Sequence, residues 1–554
     1  MRHPSRFVLI GIVLLAMYLN PWFAGGRAQV ASRSGNAAAG VSYKIAGTVV
    51  SSLTGAPVAR ARVSLTDVHN AQQVMRIITT DSGHFEFNGV PAGKFSLQGA
   101  RRGFLTARYD EHEQYSTAIV TGAGIPTENL VLRLTPLGFL GGTVSDELGE
   151  PVRQARVRLY RNSTQGGMNR VIFAASEMTD DQGYYEFPAV SPGEYYVSAA
   201  GKPWYAVHPL LSSKTGTANA LPSVAKALDA AYPTTYYGGA TEAEGATAIT
   251  VKAGDRVQAD MHLNPVPALH LIFHAPEEQG FSIPAFQKRA FDSTEYVPQE
   301  GAQSVSPGVL EVVGIPAGHY TVSEQVQGSQ RSTEVDLRTE SQEVDISRGE
   351  AWGGVKLKLV LPRGEAQPKQ LGVGLRNSRL QVVAYRQVDA AGEATFDGIS
   401  PGKYAIVAGA TTRRYFVSRT SSPGTETTGH DIEITPGVTQ DLTVFLASGV
   451  IAIEGVVKHG DKPEAGIMVA LIPKDPKSHL EMFRRDQSDL DGTFVVRDVI
   501  PGSYTIVAVE DAWGFAWLQP GVLARYLLKG QNLTITESMK GTIYLPDPVQ
   551  VQPR

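Results

Sequence analysis

The sequence predicts an all-β chain, about five β-sandwich domains in tandem, on three observations. A seven-position pattern, G-x-Φ-x-Φ-x-x-Φ-x-x-G-x-Φ-x-Φ, recurs five times without a gap. Short runs with apolar residues at every second position, the spacing that lays one face of a strand on a core, alternate with turns rich in Gly (57) and Pro (33). No long amphipathic helix is convincing, the exception being a short candidate at 220–232.

In chain order, the start reads as a secretory signal. Arg2 and Arg6 precede an uncharged apolar run, Phe7–Leu19, and Gly26 and Ala28 fit the small residues before a cleavage point, which predicts a signal peptide at 1–28. An uncleaved anchor is the competing reading, because Phe7–Gly26 carries no charge. Residues 29–42, small and polar, read as a flexible leader. The net charge of −4 argues against nucleic acid or an anionic membrane as partner. Cysteine is absent, which excludes disulfides, thiolate metal sites and a Cys nucleophile. An exported chain of this kind is held by core burial alone, as suits a bacterial envelope protein.

The five copies start at Gly83, Gly183, Gly308, Gly392 and Gly492. Their apolar positions include Phe85 and Phe95, Tyr185 and Tyr195, Leu310 and Tyr320, Phe396 and Tyr404, and Phe494 and Tyr504. The first glycine closes turns such as "TDSG" (80–83), "TDDQG" (179–183), "DAAG" (389–392) and "SDLDG" (488–492). Between the two alternating runs sits a corner such as "VPAGKF" (90–95), so each copy is expected to be hairpin-like. Ahead of three copies runs an opening pair, "IAGTVVSSLTGAPVARARVSL" (45–65), "LGGTVSDELGEPVRQARVRL" (140–159) and, more loosely, "IEGVVKHGDKPEAGIMVAL" (453–471). The expected domains are 43–135, 136–265, 266–361 (degenerate), 362–447 and 448–547, with a tail at 548–554. The segment "GVKLKLVL" (354–361) either closes the third or opens the fourth.

The G-T-V opening, "TDxxGxFxF" and "V-P-A-G-x-Y" together resemble the carboxypeptidase regulatory-like domain family. The resemblance implies a transthyretin-like (prealbumin-like, Greek-key) sandwich, related to folds called starch-binding-like, and a secreted, non-catalytic accessory or binding module. It covers nearly the whole chain after the signal and is weakest in the third copy, which lacks the opening motif.

No catalytic constellation emerges. His274 and Glu277 spell H-x-x-E, but a solvated loop accounts for them better than zinc, and no H-E-x-x-H or G-x-S-x-G is present. Asp180–Asp181 and Asp489–Asp491 offer two carboxylates each, too few for calcium, and read as turn caps. A similar fold crosslinks Lys to Asn beneath a buried acid, but the matching positions are incomplete. Glu324 stands without an obvious Lys–Asn pair, Lys44 and Asn129 lack an acid at Gly99, and Lys458 and Asn532 have a displaced Glu510. No cofactor is expected.

Loop aromatics are the remaining candidates, since exposed rings form flat platforms for sugar faces. They are Trp204, Tyr205, Tyr236 and Tyr237 after the second copy, and Trp513 and Trp517 after the fifth. The competing reading is that these rings seal sandwich ends or the joints between domains. The expectation is therefore a non-catalytic binding protein of the envelope or exterior, whose partner is a polysaccharide or an envelope protein. A structural or adhesive spacer and an accessory to a separate hydrolase or transporter are the alternatives.

Overall fold

The computed structural model describes residues 41–554 apart from 123, 165, 209–227, 275–282, 327–328, 339–341, 346–347, 411–412, 423–424, 449–450, 477–479, 520 and 537. The signal, nearly all of the leader, Glu277 and most of the 220–232 segment lie outside the described residues. The chain is an all-β tandem of sandwiches with five main cores, spanning 45–134, 140–263, 269–344, 355–446 and 451–549. Every apolar position of the repeat is buried in them, from Phe85 at 1% exposure to Ile506 at 0%.

One plan recurs, and the first sandwich shows it. The opening strand Tyr43–Ser51 pairs antiparallel with the first repeat strand His84–Val90 and parallel with the closing strand Leu130–Leu134. The second sheet is built on Arg62–Asp67, flanked by Val74–Ile78 and by the second repeat strand Gly93–Ala100. The third sandwich follows the same plan without the opening motif. Leu269–His274 pairs with Val309–Ile315 and Gln342–Asp345, and Ala285–Ala290 pairs with Gly318–Val326. Alternating burial is what the fold needs of those strands, and other residues meet it.

One expectation is corrected. The repeat is not a hairpin, because its two strands pair with different partners in all five sandwiches, in separate sheets in the first three and at separate places in one continuous nine-stranded sheet in the fourth and in the fifth. Its corner is an arch over the core. A register shift in the opening pair accompanies it each time, and the facing Gly89, Gly314, Gly398 and Asp498 are left-handed. Two segments near the expected domain limits have defined strand partners. Gly353–Val360 pairs with Glu393–Ile399 and Thr439–Ser448, so it opens the fourth sandwich. Val549–Gln552, expected as a tail, pairs with Ile451–His459 and Gly502–Val509 and completes the fifth. Apolar alternation is shared by strands of one sheet and strands of opposing sheets, so it cannot distinguish the two arrangements.

The repeated letters have structural reasons. The tyrosine after the corner donates its hydroxyl to the carbonyl four residues upstream. Tyr195 bonds Ser191 (2.6 Å), Tyr320 Pro316 (2.8 Å), Tyr404 Ser400 (2.8 Å) and Tyr504 Ile500 (2.7 Å). This pins the arch to the core. The first glycine is left-handed in every copy, and a Cβ at Gly183 would lie 2.5 Å from the Val144 carbonyl oxygen.

The sandwiches also contact one another out of sequence order. The hairpin tip of the second reaches the fifth, where Leu518 N–H donates to the Gly167 carbonyl (2.9 Å). The first sandwich packs directly on the fifth, so the chain returns on itself.

Candidate functional site

The six candidate rings separate into three environments. Trp204 is 80% exposed and stands edge-on to Tyr205, ring centres 5.8 Å apart. Tyr205 is half-buried because its hydroxyl donates to Glu147 (2.5 Å), which also accepts from Tyr232 (2.9 Å). Desolvation raises the Glu147 carboxyl, but these two hydroxyls and its own backbone N–H together hold the group below its ordinary value. Burial and the same carboxylate push Tyr205 up to about 12. Glu147 follows the first strand of the second sandwich, and nothing in its local sequence marks it as the anchor of two tyrosines far along the chain.

Tyr236 and Tyr237 lie in the second environment. Tyr236 is 1% exposed, and with Tyr160 and Tyr196 it surrounds Phe291 of the third sandwich, ring centres 4.8–5.6 Å away. Tyr237 packs on the second core. These rings close the joint between the second and third sandwiches, the packing alternative. Ion pairs and histidine–carboxylate hydrogen bonds reinforce that joint. Arg158 meets Glu295 (2.8 Å), Lys288 meets Glu242 (2.8 Å), and Asp229 takes His208 (2.7 Å) on one oxygen and His270 on the other. The other ring nitrogen of His270 faces Glu311 (3.3 Å). Burial raises the Glu295 carboxyl even with Arg158 beside it. A small cleft lies alongside, lined in part by Lys202, Pro203, His208, Tyr232 and Glu300.

Trp513 and Trp517 form the third environment, where the first and fifth sandwiches meet. Trp513 is 8% exposed, stacks on His112 of the first sandwich (5.1 Å, 7°) and lies against Tyr115 (5.5 Å). Trp517 covers Gly167 and lies 4.5 Å from the Arg485 guanidinium. Arg485 in turn reaches across to Glu113 (2.7 and 3.4 Å). These rings therefore flank a buried ion pair, while Trp204 alone of the six stands largely in solvent.

Sequence reasoning missed the polar half of this contact. Asp180 and Asp389 cap their own turns by accepting from Tyr184 and Glu393 N–H, each at 2.8 Å. Asp489 holds the same place in the fifth copy, yet it faces outward, accepting from Ala118 N–H (3.0 Å) and pairing with Lys94 (2.5 Å). Asp491 takes over the cap at Thr493 N–H (3.0 Å). No local signal marks Asp489, since "TDDQG" also carries a second acid. His274 lies 3.5 Å from Glu343 on an exposed edge, and Glu277 is outside the described residues. Among the described residues no helix is long and apolar enough to cross a membrane.

Three solved structures are similar to the chain. The Bacillus anthracis TIE protein is 12% identical, with 76% of each chain covered and a TM-score of 0.18. The minor pilin GBS52 of Streptococcus agalactiae is 13% identical over 41% of this chain and 97% of its own, with a TM-score of 0.21. BcpA, the major pilin subunit of Bacillus cereus, is 11% identical over 73% and 99%, with a TM-score of 0.15. No curated protein matches the sequence. The model of the carboxypeptidase regulatory-like domain matches residues 44–132, which span the first sandwich, and 140–209, which take in the strands of the second as far as Gly193–Ala200 but not its closing strands. Those two segments are similar to carboxypeptidase regulatory-like domains.

Proposed function

We propose that this chain is an exported, envelope-associated and non-catalytic binding protein, a compact scaffold of five sandwich units that presents a protein contact. The units suggested are 43–135, 136–268, 269–352, 353–448 and 451–552. One observation carries the reading. Among the described residues, the largely buried ionisable clusters Asp229–His270–Glu311 and Arg485–Glu113 are engaged with one another at joints between sandwiches. Return of the fifth sandwich onto the first favours a compact scaffold over an extended spacer. The export assignment rests on the N-terminal signal pattern. The test is capture from envelope extracts on the immobilised full chain, before and after enzymatic removal of glycans. A defined protein retained in both conditions supports the reading, and none in either condition defeats it.

A second reading, glycan binding, is favoured by the exposure of Trp204 beside a polar cleft. On a polysaccharide array, Trp204→Ala is expected to abolish binding and Trp513→Ala, in a packed ring, to leave it. An empty array defeats this reading without touching the first.

A further inference from the structure

The contact between the first and fifth sandwiches is built in more detail than a chance meeting of neighbours requires. From the first sandwich come Lys94 and the loop 108–118, whose Asp110 and Glu113 are both left-handed (φ 50° and 55°). From the fifth come Arg484–Gln487, the turn 488–493 and Trp513–Leu518. The Arg485–Glu113 pair is forked and nearly dry, the side chains 5% and 13% exposed. Gln487 donates to the Asp110 carbonyl (2.6 Å) and to Thr117 (2.8 Å), and its own carbonyl faces His112 (3.2 Å). Leu490 N–H donates to the Ala118 carbonyl (3.0 Å), and the Leu490 side chain packs on the first core. The approach is close enough that a Cβ on Gly466 would lie within 2.2 Å of the Asp110 carboxylate.

The two faces differ, so the contact is heterologous, and both faces belong to every copy of the chain. Each sandwich has its own core. They can therefore part without unfolding, which exposes Glu113, Arg485, Lys94 and Asp489 to water without the partners they have in the closed contact. The surface that answers those groups is the complementary face, within the same chain or on another copy. We propose that this contact is an exchangeable latch: closed within one chain, it re-forms between two copies when it opens, with the fifth sandwich of one seated on the first sandwich of the other. The proposal goes beyond the scaffold reading and does not depend on it.

Charge reversal tests it on the full chain, with light scattering for mass and hydrodynamic radius for compactness. Glu113→Arg places two cations at the contact, and Arg485→Glu places two anions. Each variant alone is expected to be monomeric and more expanded than wild type. Mixed in equal amounts they are expected to pair, about doubling the mass, because each supplies the face the other lacks. The double variant is expected to return to a compact monomer. If circular dichroism shows that either reversal prevents folding, Lys94→Asp and Asp489→Lys make the same exchange at the second ion pair. Single variants that stay as compact as wild type overturn the latch. A mixture that remains monomeric overturns the exchange between copies.

Discussion

Thr121 donates its hydroxyl to the Pro91 carbonyl at 2.7 Å, the position that a tyrosine hydroxyl occupies in each of the other four arches. The first copy has Phe95 where the others have Tyr, and a residue from the neighbouring strand supplies the missing donor. The same hydroxyl accepts from Gly93 N–H (3.0 Å), so Thr121→Val is expected to cost about 2 kcal/mol, about 1 kcal/mol for each hydrogen bond lost. Phe95→Tyr is expected to give little in wild type, where the carbonyl is already served, and to restore about half of the loss in the Thr121→Val background, the part due to the Pro91 carbonyl. Denaturant unfolding of the four chains of this cycle measures it, and additive effects would contradict the substitution of one donor for the other.

Removing one partner of the Arg485–Glu113 pair strands the other in a largely dry site. Arg485→Met is expected to weaken the contact by about 3 kcal/mol, a loss larger than an exposed pair would show. The Ala118 and Leu490 amides, bonded across the contact, report it directly. Their hydrogen exchange is expected to quicken about 100-fold, with amides inside both cores unchanged.

Burial pushes the Asp486 carboxyl up to about 7, against the help of Val495 and Gln487 N–H groups. Its unfolded value lies near 3.9. The folded state therefore binds this proton more tightly, and the group contributes stability that is full at low pH and lost as pH rises from about 4 to about 7. Asp486→Asn cannot ionise and keeps its acceptor for Val495. Denaturation midpoints at about pH 5 and about pH 8 are expected to show the variant gaining on wild type at the higher pH. A gain at the lower pH alone would contradict the assignment.

Gly492 is left-handed (φ 76°), and a Cβ there would meet the Val457 carbonyl at 2.8 Å. Gly460 is also left-handed (φ 63°) but opens on free space. Gly492→Ala is expected to cost roughly 2 kcal/mol more than Gly460→Ala, because only the first adds a backbone clash to the shared conformational strain. Thermal midpoints of the two variants, measured together, decide it.

What could be read from the chain was what every copy must do alone. The left-handed turn at Gly83 and its counterparts, the alternation that buries Phe85 and Phe87, and the Tyr corner all arise within about 25 residues. The arch looked like a hairpin because both present apolar residues at every second position. Contacts between copies were not legible for another reason. Arg485 and Glu113 are ordinary charged residues on either side of 372 positions of sequence. Trp513 and Trp517 carried a signal, but a ring packed on a neighbouring domain and a ring offered to a sugar are spelled alike. Asp489 differs from Asp180 and Asp389 only in what lies opposite it.

The separation of 372 positions also sets an order of events during synthesis. A ribosome adding about 5–20 residues per second takes on the order of 20–70 s to pass from Glu113 to Arg485. Throughout that interval the first sandwich can finish its core, while its loop at 108–118 waits with a carboxylate, an imidazole and a tyrosine facing water. Bonds within the loop, from Arg108 N–H to the Glu111 carboxylate (2.8 Å) and from the Thr117 hydroxyl to the Asp110 carboxylate (3.0 Å), can form without its partner. The early part of the chain is thus a mould set before the late part exists, and any delay or early exit of the nascent chain leaves the mould open to another molecule.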